Sequence, residues 1–159
     1  MSSETCSTPD TVDEVLSSDY VLEYTYTRSV GEVIGRFFAG LRDGRVFGVR
    51  TPGGRVLVPP TEYDPNTGER CRVEDFVEVK ASGSVKTWAW IAEPRARNPL
   101  SKPFAWALIQ LDGADAAMLH AVDAGSIERM RTGMRVKVRW AAERRGRIED
   151  IACFEPEDA

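Results

Sequence analysis

Between Phe76 and Phe154 the chain is cut by turn-forming residues into five short apolar-rich stretches, and this punctuation constrains the fold more than any other feature. The stretches are 76–91, 104–111, 116–122, 134–140 and 148–154. The first is interrupted at Gly83, where a long strand has room to bend, and the second closes on the turn Asp112-Gly113. In the fourth, Met134, Val136, Val138 and Trp140 alternate with Arg135, Lys137 and Arg139, the period-two signature of a half-buried strand. Residues 126–132 link it to the third, and Glu143 to Gly146 turns the chain into the fifth. Five strands within about 80 residues predict a small five-stranded barrel of the OB type.

Upstream, residues 1–19 are polar and acidic and hold too few bulky apolar groups to offset their ordering entropy, so disorder is expected. Tyr20, Leu22, Tyr24 and Tyr26 fall at period two and predict an extended segment. An amphipathic helix follows. Ser29 and Glu32 have capping-box spacing, and Val30, Val33, Ile34, Phe37, Phe38 and Leu41 form one apolar stripe that Gly40 and Gly44 bring to a stop. Such a stripe is either core or a partner surface. From 45 to 72, short apolar pieces alternate with turns at Pro52-Gly53-Gly54, Pro59-Pro60 and 64–68, the pattern of two hairpin-like knuckles joined by a strand. The divisions are thus 1–19, 20–44, 45–72, a barrel over 73–154 and an acidic tail over 155–159.

The 159-residue chain has a formal charge of −4, and its charges are segregated. Residues 1–23 carry six acids and no base, whereas 129–147 carry eight bases against Glu143. A basic stretch of this kind is either a polyanion contact or a solvated strand face. No apolar run is long enough for a membrane span, and the N-terminus has neither signal-peptide nor transit-peptide character. Cys6, Cys71 and Cys153 are odd in number and scattered, which argues against a disulfide framework. A cytoplasmic protein is expected.

Catalytic chemistry is scarce. His120, the one histidine, lies in an apolar stretch with no nucleophile motif beside it and reads as structural. Cys71 sits between Arg70 and Arg72 but reads as a plain thiol. Glu74-Asp75 and Glu149-Asp150 read as edge charges. No phosphate-loop, dinucleotide, zinc-protease or nucleophile-elbow string occurs. Trp88, Trp90 and Trp106 are either core or, with the bases, a stacking platform for single-stranded nucleic acid.

The string from Gly35 to Arg45, followed by Gly48-Val49-Arg50, Gly54-Arg55-Val56 and Val58-Pro59-Pro60, resembles the zinc-ribbon plus OB-fold proteins associated with acyl-CoA enzymes. Ser82-Gly83-Ser84-Val85, the run from Ala107 to Ala114 and Thr132-Gly133-Met134-Arg135-Val136 extend the resemblance, which covers about Tyr20 to Phe154. It implies a mainly β chain with an N-terminal helix, a rubredoxin-like ribbon and an OB barrel. It also implies an accessory subunit of a thiolase-like lipid-transfer protein or aldolase, such as those that shorten steroid side chains held on coenzyme A. The catalytic groups then belong to the partner and none to this chain; acyl-CoA is a ligand shared at the complex. The alternative is a single-stranded nucleic-acid-binding OB protein.

On that reading Phe37, Phe38, Leu41, Val56, Val58, Pro59, Pro60 and Tyr63 are expected to meet the partner. Arg95, Arg97 and Lys102, on a loop between the first two barrel strands, are candidates for coenzyme A phosphates, with Arg129 and Arg131 as second candidates. The chain departs from the family where its ribbon carries two CxxC-type knuckles. Here the first is Arg50 to Val56, one residue short, and the second has Asp64 and Thr67 in the cysteine positions. A structural zinc site needs four thiolate or imidazole-class ligands, so a ribbon without zinc is expected, held by Pro59-Pro60, its turns and packing on the helix.

Overall fold

A computed structural model describes residues 20–26 and 29–158; the acidic stretch 1–19 lies outside the described residues. The elements run α1 (Gly31–Arg42), β1 (Val46–Arg50), β2 (Val56–Leu57), β3 (Phe76–Val79), β4 (Ser82–Ile91), β5 (Phe104–Leu111), β6 (Ala117–Val122), β7 (Arg135–Trp140) and β8 (Ile151–Pro156). No described helix is long and apolar enough to cross a membrane.

The helix forms where its stripe predicts, but not with the predicted cap. Val30 is the N-cap and makes no side-chain cap bond; Ser29 Oγ instead accepts the Gly31 N–H at 3.3 Å. Nor does Gly40 end the helix. It lies inside it because a Cβ there would sit 2.4 Å from the Phe47 ring, so glycine lets β1 pack against the helix. The stop is Gly44, at φ +73°.

Strands β2-β1-β3 make a small antiparallel sheet, the ribbon. Its third strand is a correction to the predicted boundaries: residues 76–79 pair with β1 in the register Val46↔Val79 to Val49↔Phe76, so the barrel begins at Ser82. Strands β4-β5-β6-β8-β7 close a five-stranded barrel, with β6 and β8 parallel at Val122↔Phe154. That order is the OB topology. Strand β4 pairs with β5 along its length and with β7 at Ser82–Ser84, so the chain curls tightly at Gly83. The last strand starts at Ile151 rather than 148, because 148–150 form a 3-10 turn.

Helix, ribbon and barrel share one hydrophobic core. Phe37 and Leu41 of α1, Val46, Val56 and Val79 of the ribbon, and Val85, Ile109, Val136 and Phe154 of the barrel belong to one packed cluster. Polar clamps fix the parts. Val56 N–H donates to Asp115 Oδ2 and Asp115 N–H to Val56 O, both at 2.8 Å, tying β2 to the β5–β6 turn. Arg144 Nε donates to the Arg42 carbonyl at 3.0 Å, so the β7–β8 turn satisfies an otherwise free acceptor at the C-terminus of α1.

Candidate functional surfaces

The residues expected to meet a partner are mostly consumed by this shared core. Phe37, Leu41, Val56 and Val58 are 0–4% exposed, and Pro60 is buried. A side chain packed inside its own chain offers no area to another, so these five are corrected to core. Pro59 and Tyr63 are exposed, and Phe38 is half-buried against the cluster.

Two outer faces of the barrel contrast sharply. Along β5, Ala105, Ala107, Ile109 and Leu111 point inward and are buried, which turns Trp106, Leu108 and Gln110 outward. The register sets Ala89 beside Trp106, Thr87 beside Leu108, Leu108 beside Leu119, and Gln110 beside Ala117. This face of β4, β5 and β6 carries one charge, the exposed Lys86 at the β4 bulge, and Leu119 is 61% exposed. The β7–β8 face is the opposite. Arg135 pairs with Asp112 and Glu157 at 2.7 and 2.8 Å, Lys137 with Glu155 at 3.8 Å, and Arg139 with Asp123 and Glu155 at 2.9 and 3.4 Å. The Arg135 guanidinium holds the Asp112 carboxyl below the usual carboxylate range. The basic strand is therefore a neutralised face, with each cation facing a carboxylate.

The tryptophans follow suit. Trp88 and Trp90 face inward and pack against the main cluster, and Trp106 meets Phe104 edge-on at 5.4 Å. They do not form one stacking surface.

The candidate phosphate-binding bases fall into two separate places. Arg95, Arg97 and Lys102 are exposed on the β4–β5 loop, whose tight bend is set by Arg95 N–H donating to Asn98 Oδ1 at 2.6 Å. Arg129 and Arg131 precede Gly133 and Met134, whose backbones bond Val85 near the start of β4. The β4–β5 loop leaves beyond Ile91, roughly 20 Å along that strand. One ligand phosphate cannot meet both sets.

His120 is 8% exposed, stands edge-on to Phe154 at 5.5 Å, and its Nδ1 has no hydrogen-bond partner. Burial pushes its pKa down. Cys71 and Cys153 are buried, and burial raises both thiols, the second to about 11. None of these is a poised acid, base or nucleophile.

At the ribbon's two turns the residues do not fit a zinc ion. Gly53 carries no ligand atom, and Asp64 is 2% exposed with both carboxylate oxygens engaged: Oδ2 accepts Gly53 N–H at 3.2 Å and Oδ1 accepts Asn66 N–H at 2.8 Å. Thr51 Oγ1 is buried nearby without a partner. Among the described residues no three His, Cys, Asp or Glu side chains converge as a metal site. Among the described residues two carboxylates are interior, and one of them corrects the sequence reading of Glu149-Asp150 as edge charges. One is Asp64 in this role; the other is Asp150, 3% exposed, which accepts the N–H groups of Arg145, Gly146 and Arg147. Asp64 directly precedes Pro65, a turn signal that marks it, whereas Asp150 has no Gly or Pro neighbour.

Residues 76–141 match the family model described as ChsH2, C-terminal OB-fold domain. Among solved structures, the chain is similar to a protein of unknown function from the DUF35 family of Sulfolobus solfataricus, at 22% identity over 69% of this chain and 77% of that one, with a TM-score of 0.55. It is also similar to a chain of the Ltp2-ChsH2(DUF35) aldolase, at 18% identity over 82% of this chain and 98% of that one, with a TM-score of 0.58. At these identities the two structures establish a shared fold. No curated protein matches the chain by sequence.

Proposed function

We propose that this protein is a non-catalytic subunit that docks on a lipid-transfer-type thiolase or aldolase and supports the breakdown of acyl-CoA substrates, steroid side chains being the class the family resemblance implies. The observation that carries this reading is the largely apolar outer face of β5 and β6, with Lys86 of β4 the one charge at its edge. A strand face with Leu119 and Leu108 side by side and open to water is costly to leave bare, and such patches mark contact sites. The likeness of the barrel to the ChsH2 domain, and of the whole fold to a chain of an aldolase assembly, supports the choice of partner.

The partner supplies the nucleophile and the acid and base groups, since among the described residues no poised set is found. Acyl-CoA would be shared at the complex. Arg95, Arg97 and Lys102 form one candidate contact for its phosphates, and Arg129 with Arg131 a separate one. Co-expression with a thiolase-like lipid-transfer protein, followed by size-exclusion chromatography and an assay of carbon–carbon cleavage on an acyl-CoA, tests the reading. A stable hetero-oligomer that is more active than the partner alone is the expected result. Separate elution with no gain in activity would overturn it.

A further inference from the structure

We propose that the Asp64 carboxylate is itself the cross-link between the two turns of the ribbon, performing the task that a metal ion performs in ribbons with four cysteine ligands. The first turn, at Thr51–Gly54, closes through Gly54 N–H donating to Thr51 O at 2.8 Å. The second closes through Gly68 N–H donating to Asp64 O at 2.8 Å, and Asp64 N–H donates to Glu69 O at 2.8 Å. Neither set of bonds joins one turn to the other. Asp64 does, because a carboxylate has an acceptor oxygen for each side: Oδ1 takes Asn66 N–H from its own turn, and Oδ2 reaches eleven residues back to Gly53 N–H.

Local chemistry makes room for this contact. A Cβ at position 53 would lie 3.0 Å from Asp64 Oδ2, so glycine permits the approach. The carboxylate is 2% exposed, and a buried charge persists only when its acceptors are filled. Charge-assisted bonds to backbone N–H groups are about twice as strong as neutral ones. The ribbon thereby needs no ion to join its turns, and that junction rests on one side chain.

Amide hydrogen exchange followed by NMR tests this on the full chain, with zinc content measured on the same sample. In Asp64→Ala the Gly53 and Asn66 amides should exchange about tenfold faster or more, the loss expected for a charge-assisted bond. Amides of Val85, Ile109 and Val136 in the barrel should keep their rates. Wild-type protein dialysed against EDTA should match the untreated sample. Unchanged exchange at Gly53 in the variant would overturn the proposal, as would stoichiometric zinc or chelator-dependent exchange in the wild type. Where Asp64→Ala fails to fold, Asp64→Asn carries the same test: it keeps one acceptor oxygen but turns an amide donor toward its other neighbour. Faster exchange at Gly53 or Asn66 then supports the cross-link, and wild-type rates at both overturn it.

Discussion

Two side chains, His120 and Asp150, show how the same buried position can be tolerated by one group and required of another. His120 occupies an inward position of β6 opposite Ala107, where its ring packs edge-on to Phe154. Burial holds its pKa below the ordinary 6.5, so the folded chain keeps the ring neutral while the unfolded chain takes up a proton as the pH falls. Its contribution to stability is therefore fully present above about pH 6.5 and declines below it. Urea midpoints at about pH 5 and about pH 7.5 should differ more for wild type than for His120→Leu, which removes the titrating group. At neutral pH that variant should lie within about 1.5 kcal/mol of wild type, because it fills similar space and removes an unpaired buried nitrogen. Asp150 behaves differently. Asp150→Ala leaves three loop N–H groups without their acceptor and should cost about 2–3 kcal/mol in the same denaturation experiment. The histidine's role was legible because an isolated His in an apolar run has no chemistry beside it. The aspartate's role was not, since its partners are backbone groups that every sequence shares.

Among the elements, the clearest strand signal was also the most open in meaning. The alternation over 134–140 fixed β7 and its two faces, yet the bases alone left polyanion binding and a solvated face both standing. The acids that decide the matter come from 112, 123, 155 and 157, brought alongside only by barrel closure. Sequence order does not display such long-range pairs. Because these ion pairs are half-exposed, each contributes little to stability, but together they neutralise the β7 bases that a phosphate backbone would otherwise meet along that strand. Titration with a fluorescent single-stranded oligonucleotide at low salt should show no binding with a steep salt dependence; such binding would revive the nucleic-acid reading. Gly83 is the element-scale feature whose reason emerged only with the fold. It was legible as a bend, and the barrel supplies the cause: a Cβ there would lie 2.2 Å from the Gln110 carbonyl oxygen and 2.7 Å from Leu111 Cα. Those are backbone atoms of the paired strand and cannot step aside cheaply. Gly83→Ala should destabilise the barrel by about 3 kcal/mol, at the upper end of overpacking costs, read as a lower thermal midpoint with native-like circular dichroism.

At the scale of the whole molecule, helix, ribbon and barrel were legible as a succession, because each has its own periodicity and turn chemistry. Their fusion into one core was not, and that fusion moved the expected docking surface. Phe37 and Leu41 were expected to face a partner, but they pack with barrel residues such as Phe154 and Val136 in the same cluster. With the helix stripe spent internally, Leu108 and Leu119 remain open on the outside of β5 and β6, where neutral side chains at alternate positions left them inconspicuous in the sequence. This difference yields a test that separates folding from docking. Leu119→Asp changes a side chain that is 61% exposed and lines no part of the core, so its unfolding midpoint should stay within about 0.5 kcal/mol of wild type. A new charge on an apolar contact surface must be desolvated without a partner, so affinity for a thiolase-like subunit should fall at least about a hundredfold. Urea denaturation of Leu119→Asp checks the first expectation, and isothermal titration calorimetry against that subunit the second. Leu41→Ala is the counterpart: it should lose about 2–5 kcal/mol of stability through the cavity it opens, yet bind like wild type at a temperature where it remains folded. If Leu119→Asp binds normally while the folded Leu41→Ala protein does not, docking runs through the helix rather than the barrel face. The apolar strands would then require another covering.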